Sequence, residues 1–470
     1  MKSSSSAASI PDPTPVLFLI ATILALVWVI GDSSLPGLLV ASAALALAAI
    51  WLFVDYPWAA VVALIIAAAM PRFAVSIGGV NARPEHLVAI LLLVALPLWL
   101  KRSQTAVRWI IADYVLVAYV AMNFFSSAFS SIQPSQTVKW AFQQMLAILP
   151  YFFLRILLVD PSALRRAVRV VLAVGVIEAI YGIVAFYSSQ AFKTSFGVTP
   201  DQYGTIPGTY ATQYEANILA AYLGACSVML LTMYLTNRSV KYLFAFGITL
   251  LGMAISLSRA ALMGTAFALL LVLIRGMRLG SLNRQVMAKI TAAVLCVALI
   301  AAPTLLGFYT ERFSSLEAAD ITADDNLRGR VVTTVVSYED IVVHPLVGNG
   351  TASFQLLFDF STLNADIESG WIGNTPWRVL HDTGLIGLAI FSFFLGALLI
   401  GARRTLKQKP YPELSALLLG TVVYCFSFQA TEGTLLAFSW VHIGLIGCAL
   451  ATWQQSQDPS SEPLAAMPAS

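Results

Sequence analysis

Residues Val240 to Gly276 read VKYLFAFGITLLGMAISLSRAALMGTAFALLLVLIRG, a stretch whose only charged members are Lys241, Arg259 and Arg275. On each side of Ser258-Arg259 the chain stays apolar for about the length that crosses the hydrocarbon core of a bilayer, close to 20 residues. Backbone in lipid must satisfy its own hydrogen bonds, so such runs fold as helices. A barrel strand would alternate apolar and polar positions instead. The same texture runs through the whole chain of 470 residues, 59% apolar and 11% charged, with a mean hydropathy of +0.81. Soluble domains carry about 25% charged residues, so the reading is an all-α polytopic integral membrane protein.

Spans are expected near 16–30, 35–54, 57–70, 85–100, 110–128, 138–158, 163–187, 213–236, 240–257, 260–276, 287–308, 383–401, 413–430 and 434–453. That makes about fourteen transmembrane helices with one large excursion, residues 309–382. Residues 1–15 form a Ser-rich leader and 454–470 a polar tail. Short cytoplasmic loops retain Lys and Arg. With the N-terminus inside, the clusters Lys101/Arg102/Arg108, Arg165/Arg166/Arg169, Arg238/Lys241, Arg275/Arg278/Arg284/Lys289 and Arg403/Arg404/Lys407/Lys409 all fall on one side. Both termini are therefore expected inside and the long loop outside, on a face that is acidic overall. Cys226, Cys296, Cys425 and Cys448 lie in apolar runs without the spacing of a disulfide framework or a zinc site.

On that outer side the few charges look placed. Arg259 interrupts two apolar runs at the membrane surface, where an arginine either snorkels to headgroups or faces a cavity or partner. The long loop carries Asn326-Leu327-Arg328-Gly329-Arg330 and an apolar stretch, Val331 to Val343, whose Val332, Val335, Val336 and Val343 share a helical face. We read a helix lying along the membrane and ended by Pro345. Next comes His344-Pro345-Leu346-Val347-Gly348-Asn349-Gly350, where a Gly-x-Gly turn lets backbone N–H groups approach an anion. Gly373-Asn374-Thr375-Pro376-Trp377-Arg378-Val379-Leu380-His381-Asp382-Thr383-Gly384 then leads into the twelfth span.

These pieces, in this order, resemble the O-antigen ligase and O-antigen polymerase (Wzy-type) superfamily. Ser258-Arg259-Ala260-Ala261-Leu262 is similar to its Ser-Arg-Gly-Ala-Leu. Arg330 with His344-Pro345-Leu346-x-Gly348-x-Gly350 resembles its Arg, surface helix and Pro-Leu-x-Gly-x-Gly element. Asn374 to Leu388 resembles its His-Asn-x-x-Leu-x-x-Leu-x-Glu-x-Gly signature, and Gly204 to Ala220 resembles the loop before its Asn-x-Leu-Ala helix. The likeness runs from about residue 200 to 400. It departs at Gly373, where the family has histidine, at Trp377 for Leu, at Asp382 for Glu, and at Thr334, where the family has an aromatic.

The resemblance implies a GT-C-like membrane glycosyltransferase of the bacterial inner membrane. It would take a glycan from undecaprenyl pyrophosphate and join it, with inversion, to an acceptor hydroxyl on the outer face. Holding the pyrophosphate suits guanidinium forks. Arg259 and Arg330 are assigned there, with Arg328 and Arg378 in reserve. The acceptor needs a positioned base, for which His381 leads, followed by His344 and Glu215. Gly348, Gly350, Asn374 and Asp382 would position loop and substrate. No metal or other cofactor is implied, and no nucleic acid. Partners are the lipid-linked donor, the glycan acceptor and the bilayer, with a chain-length regulator and a flippase as associates. Polymerisation of repeat units leads over ligation to another acceptor. A flippase or transporter is the rival class, and its natural markers are the intramembrane Glu178 and His442, above all if they pair.

Overall fold

The computed structural model describes residues 35–77, 80–103, 107–203, 206–317, 325–357, 371–408 and 411–457. The expected first crossing at 16–30, the leader and nearly all of the tail lie outside the described residues. The described chain is all-α apart from two short hairpins. Its helices are α1 (Leu35–Asp55), α2 (Pro57–Ala68), α3 (Pro84–Ser103), α4 (Ile111–Ala128), α5 (Pro134–Leu157), α6 (Pro161–Phe192), α7 (Ala216–Asn237), α8 (Val240–Ile255), α9 (Arg259–Arg278), α10 (Arg284–Glu317), α11 (Asp325–Val343), α12 (Phe354–Leu357), α13 (Thr375–Gln408), α14 (Pro412–Ser427) and α15 (Ala437–Gln457). The antiparallel hairpins are β1 (Val75–Ile77) with β2 (Val80–Ala82), and β3 (Val198–Tyr203) with β4 (Ile206–Thr209).

Eight of these helices are long and apolar enough to cross a membrane: α3, α4, α5, α6, α7, α9, residues 284–304 of α10, and α13. Shorter apolar helices stand at the other expected positions within the described residues, including α2, α8, α14 and α15. A count of fourteen is thus finer than the architecture itself. The expected third span, 57–70, is a helix of 12 residues, about 18 Å of rise.

The most uniformly apolar helix is the most enclosed. α7 is apolar around its whole circumference, which is the signature of a buried helix, and it is buried along its length between α8, α9 and α14. Around it α5 packs on α15, α13 on α4, and α6 on α8. Where the helices begin, local chemistry is visible: at α6 the Asp160 carboxylate accepts from Ala163 N–H at 3.2 Å and from the Ser162 hydroxyl, with Pro161 at the first helical position. The Ser162 bond above all, then the backbone donors, hold this carboxyl below its ordinary range against the opposing effect of partial burial. Asp160→Ala is expected to cost about 0.5–2 kcal/mol in thermal unfolding at neutral pH. Because the folded carboxyl titrates below its unfolded value, the contribution is full above about pH 4 and is lost as pH falls through the folded value.

Alternate connections meet at opposite ends of the bundle. At one end Arg102 Nη1 contacts Asp55 at 2.6 Å, Arg155 Nη2 donates to Arg108 O at 2.6 Å, Arg238 donates to Ser281 O, and Trp453 Nε1 donates to Gln408 at 3.0 Å. At the other, Arg72 N donates to Thr212 O at 3.2 Å, Arg83 Nη1 to Leu435 O at 2.7 Å, Ser126 Oγ to Asp382 O at 2.6 Å, and Thr375 N to Phe428 O at 2.8 Å. The first is the end where the expected basic clusters gather.

Helices run past two of the expected span boundaries. Beside the expected start of the long excursion at 309, α10 continues as helix to Glu317. Ahead of the span expected from 383, α13 opens at Thr375 and is broken at Gly384, whose φ of 66° and ψ of −170° split it into a short first segment and a long apolar one. A helix stands where one was expected in the excursion, as α11. Among its described side chains Thr333, Ser337 and Ile341 are buried, while Val332, Val335, Val342 and Val343 are exposed.

Candidate functional site

The break in α13 frees the backbone donors that begin its second segment, and the 344–350 loop takes them up. Leu385 N donates to Pro345 O at 2.8 Å and Ile386 N to Leu346 O at 3.2 Å. In return Asn349 N donates to His381 O at 2.9 Å and Gly350 N to Asp382 O at 3.0 Å. Ser126 and Ser127 of α4 complete the joint, Ser126 Oγ on Asp382 O and Ser127 Oγ accepting from Thr351 N at 2.9 Å. Backbone runs against backbone here. A Cβ on Gly348 would sit 2.5 Å from Asp382 C, Thr383 N and Gly384 N, and one on Gly384 would sit 2.3 Å from Leu346 C and O.

This corrects the reading of Gly348 and Gly350 as an anion-binding turn. Gly348 N donates to His344 O at 3.0 Å, Asn349 and Gly350 donate as above, and Ala352 N donates to Asp382 Oδ2 at 2.9 Å. With these N–H groups committed, the glycines serve close packing of two chain segments.

The joint presents a row of charged side chains. Arg378 Nε lies 3.2 Å from Asp382 Oδ2, and its Nη1 lies 3.1 Å from Glu432 Oε1, near enough for an ion pair though not aligned as a hydrogen bond. His381 Nδ1 lies 3.0 Å from Asp382 Oδ1, and its Nε2 lies 3.4 Å from Asp340 Oδ2. The order Glu432, Arg378, Asp382, His381, Asp340 therefore alternates in sign. A carboxylate facing each ring nitrogen favours the imidazolium form, in which both nitrogens donate. Burial increases toward the middle: side-chain exposure is 12% at Glu432, 3% at Arg378, 5% at Asp382, 0% at His381 and 25% at Asp340. Phe354 closes the edge of His381, and Trp371 stands 4.9 Å from the Arg378 guanidinium, whose Nη2 has no partner among the described residues.

The expected site residues divide accordingly. Arg378, His381 and Asp382 come together. Asn374 caps the same helix, its Oδ1 accepting from Trp377 N at 2.9 Å and its Nδ2 reaching Gln429. His344 stands beside this joint, Nε2 3.4 Å from Ser131 Oγ. Arg259 is exposed at the first position of α9, and Glu215 is exposed at the N-cap of α7, in a corner tied to Ala69–Arg72 through Thr212, Gln213 and Tyr214. The side chains of Arg328 and Arg330, in the first turns of α11, lie outside the described residues. The expectation of His381 as the base that meets the acceptor is corrected: the ring is sealed, with a carboxylate on each nitrogen.

Sequence reading passed over Glu432 and Asp340. For Glu432 the signal available was the one that had picked out Arg259, a charge standing in an otherwise apolar stretch, whereas Asp340 is paired in sequence with Glu339 and carried no such signal. Glu178 and His442 do not pair. Glu178 Oε1 accepts from Thr212 at 2.7 Å, and His442 Nε2 lies 2.8 Å from Leu417 O and 3.2 Å from Thr421. Among the described residues no three His, Cys, Asp or Glu side chains are grouped to hold a metal ion. The four cysteines are free, Cys226 and Cys448 buried, Cys296 and Cys425 exposed. The chain matches no protein-family model and no curated protein. What the fold establishes is a multi-pass helical membrane protein.

Proposed function

We propose that the protein is a membrane glycosyltransferase of the O-antigen polymerase and ligase kind. It polymerises repeat units carried on undecaprenyl pyrophosphate at the outer face of a bacterial inner membrane. The observation that supports this reading is the joint itself: segments that resemble separate family elements, His344–Gly350 and Asn374–Gly384, are bonded to each other and carry a buried row of charges at one end of the bundle. Such a row, fixed by packing and shielded from water, is suited to orient a hydroxyl and to stabilise charge moving in a transition state. Arg259 and Arg330 take the donor pyrophosphate in this scheme, with Arg378 in reserve behind them, its Nη2 buried without a hydrogen-bond partner among the described residues. Fourteen crossings, both termini inside and an outer chamber reached from the bilayer belong to the same proposal.

The transporter reading draws less support, since the two intramembrane ionisable groups that would mark its path each bond locally. Deletion of the gene and complementation with Arg259→Ala and Arg330→Ala is the direct test, read as glycan chain length on gels. Both variants are expected to lose polymer while lipid-linked repeat units accumulate outside the membrane. Wild-type chain lengths from both would remove the proposed donor site, and accumulation inside would favour a flippase.

A further inference from the structure

The five charged groups do not cancel. Glu432, Asp382 and Asp340 bring three negative charges, and Arg378 and the imidazolium of His381 bring two positive ones. One carboxylate charge is left over in a setting that burial makes expensive. Its location is decided by how the two ends of the row are held. At the Glu432 end, Oε1 accepts from Thr434 N and from the Thr434 hydroxyl, Oε2 accepts from Leu435 N at 3.1 Å, and Arg378 stands alongside. That carboxylate is held by three hydrogen bonds and an ion pair. At the other end, the Asp340 carboxylate makes one contact among the described residues, Oδ2 to His381 Nε2 at 3.4 Å, and it is the most exposed member of the row. The backbone beneath it is fixed, because Asp340 O accepts from Asn349 Nδ2 at 3.2 Å and so ties α11 to the joint.

We propose that Asp340 is the general base that takes the proton of the acceptor hydroxyl, with His381 as a positioning residue that holds the carboxylate from behind. This assignment rests on the glycosyltransferase reading. In the step it describes, the acceptor O–H bond breaks and its proton passes to Asp340. The acceptor oxygen bonds to the anomeric carbon as the bond from that carbon to the phosphate oxygen breaks, and the electron pair leaves with undecaprenyl pyrophosphate. Asp340 then loses its proton to water through its exposed edge. His381, held between Asp340 and Asp382, and Asp382, held by Arg378 and Ala352 N–H, cannot swing to the acceptor. His344, one helical turn beyond Asp340, faces Ser131 and lacks any such anchoring to Asp382.

The test uses the full chain in nanodiscs, with the lipid-linked repeat unit extracted from membranes of the deletion strain as probe. Loss of general base catalysis is expected to slow transfer about 10²–10⁴-fold in Asp340→Asn. Asp340→Cys is expected to be as slow, to regain transfer after iodoacetate, which restores a carboxylate, and to stay slow after iodoacetamide, which adds a neutral amide. Alkylated wild type controls for Cys296 and Cys425. His381→Gln is expected to lower kcat with the KM for the lipid-linked unit unchanged. Wild-type rates from Asp340→Asn would overturn the assignment, as would equal recovery with both reagents or transfer of the whole loss to His344→Ala. Failure of the wild type to join repeat units at all would overturn the glycosyltransferase reading instead.

Discussion

Gly348→Ala is expected to pull apart the joint between the 344–350 loop and α13 while leaving the helical bundle standing. The residue has a φ of 75°, a region in which a side chain costs about 1–2 kcal/mol. The added Cβ would also meet three backbone atoms at 2.5 Å, none of which can rotate away as a side-chain tip could. The loop must therefore lift, and lifting it breaks the bonds from Asn349 N, Gly350 N, Leu385 N and Ile386 N, each worth about 1 kcal/mol. The expected outcome is loss of hydrogen-exchange protection over 345–353 and 381–386, and loss of activity beyond detection if the site lies here. Gly247→Ala is the control: a Cβ there meets nothing within 4 Å, so it is expected to be neutral or slightly stabilising. Protection unchanged in Gly348→Ala would show that the two segments do not meet as described.

Removing the Asp113 carboxylate is expected to give the largest loss of stability. Asp113 lies at the opposite end of the bundle, paired through both oxygens with Arg155, Oδ1 to Nε at 3.1 Å and Oδ2 to Nη2 at 2.8 Å, with both side chains almost wholly buried. Oδ1 also accepts from the Tyr151 hydroxyl at 2.7 Å, and Oδ2 accepts from Ile110 N at 2.8 Å, which caps α4. Asp113→Ala leaves a buried guanidinium uncompensated, a change that costs about 3–5 kcal/mol, and orphans the tyrosine as well. The detergent-solubilised protein should unfold at a markedly lower temperature. Asp113→Leu combined with Arg155→Met is expected to recover most of the loss, because an apolar pair of similar bulk removes both desolvation penalties. A double variant as unstable as the single would mean that the pair contributes more than its own desolvation cost. Neither change touches the end that carries the joint, so the proposed transfer activity per folded molecule should stay at the wild-type level.

How much of the site was legible depends on which interactions are local. Asn374, Arg378, His381 and Asp382 stand in one short segment, and their helical spacing alone brings Arg378 and Asp382 together at i and i+4. The loop from His344 to Gly350 was legible as a turn through its proline and glycines. Its purpose was misread, because a glycine permits close approach of an anion or of another backbone equally well, and a linear chain does not say which. Glu432 and Asp340 were passed over for a related reason. An acidic residue between apolar segments is unremarkable until an arginine or an imidazole is found against it.

By itself, the sequence determined that the chain is a bundle of membrane helices and that its basic clusters gather at one end. Hydrophobic run length and the cost of charge in lipid act on each segment separately, and so can be read segment by segment. Only the tertiary structure decided that α13 breaks at Gly384, that the broken end is satisfied by carbonyls of Pro345 and Leu346, and that Asp340 and Glu432, distant in sequence, join Arg378, Asp382 and His381 in one alternating row. Those outcomes turn on contacts between segments far apart in the chain, which a buried charge or an open backbone donor demands without saying which segment will supply them.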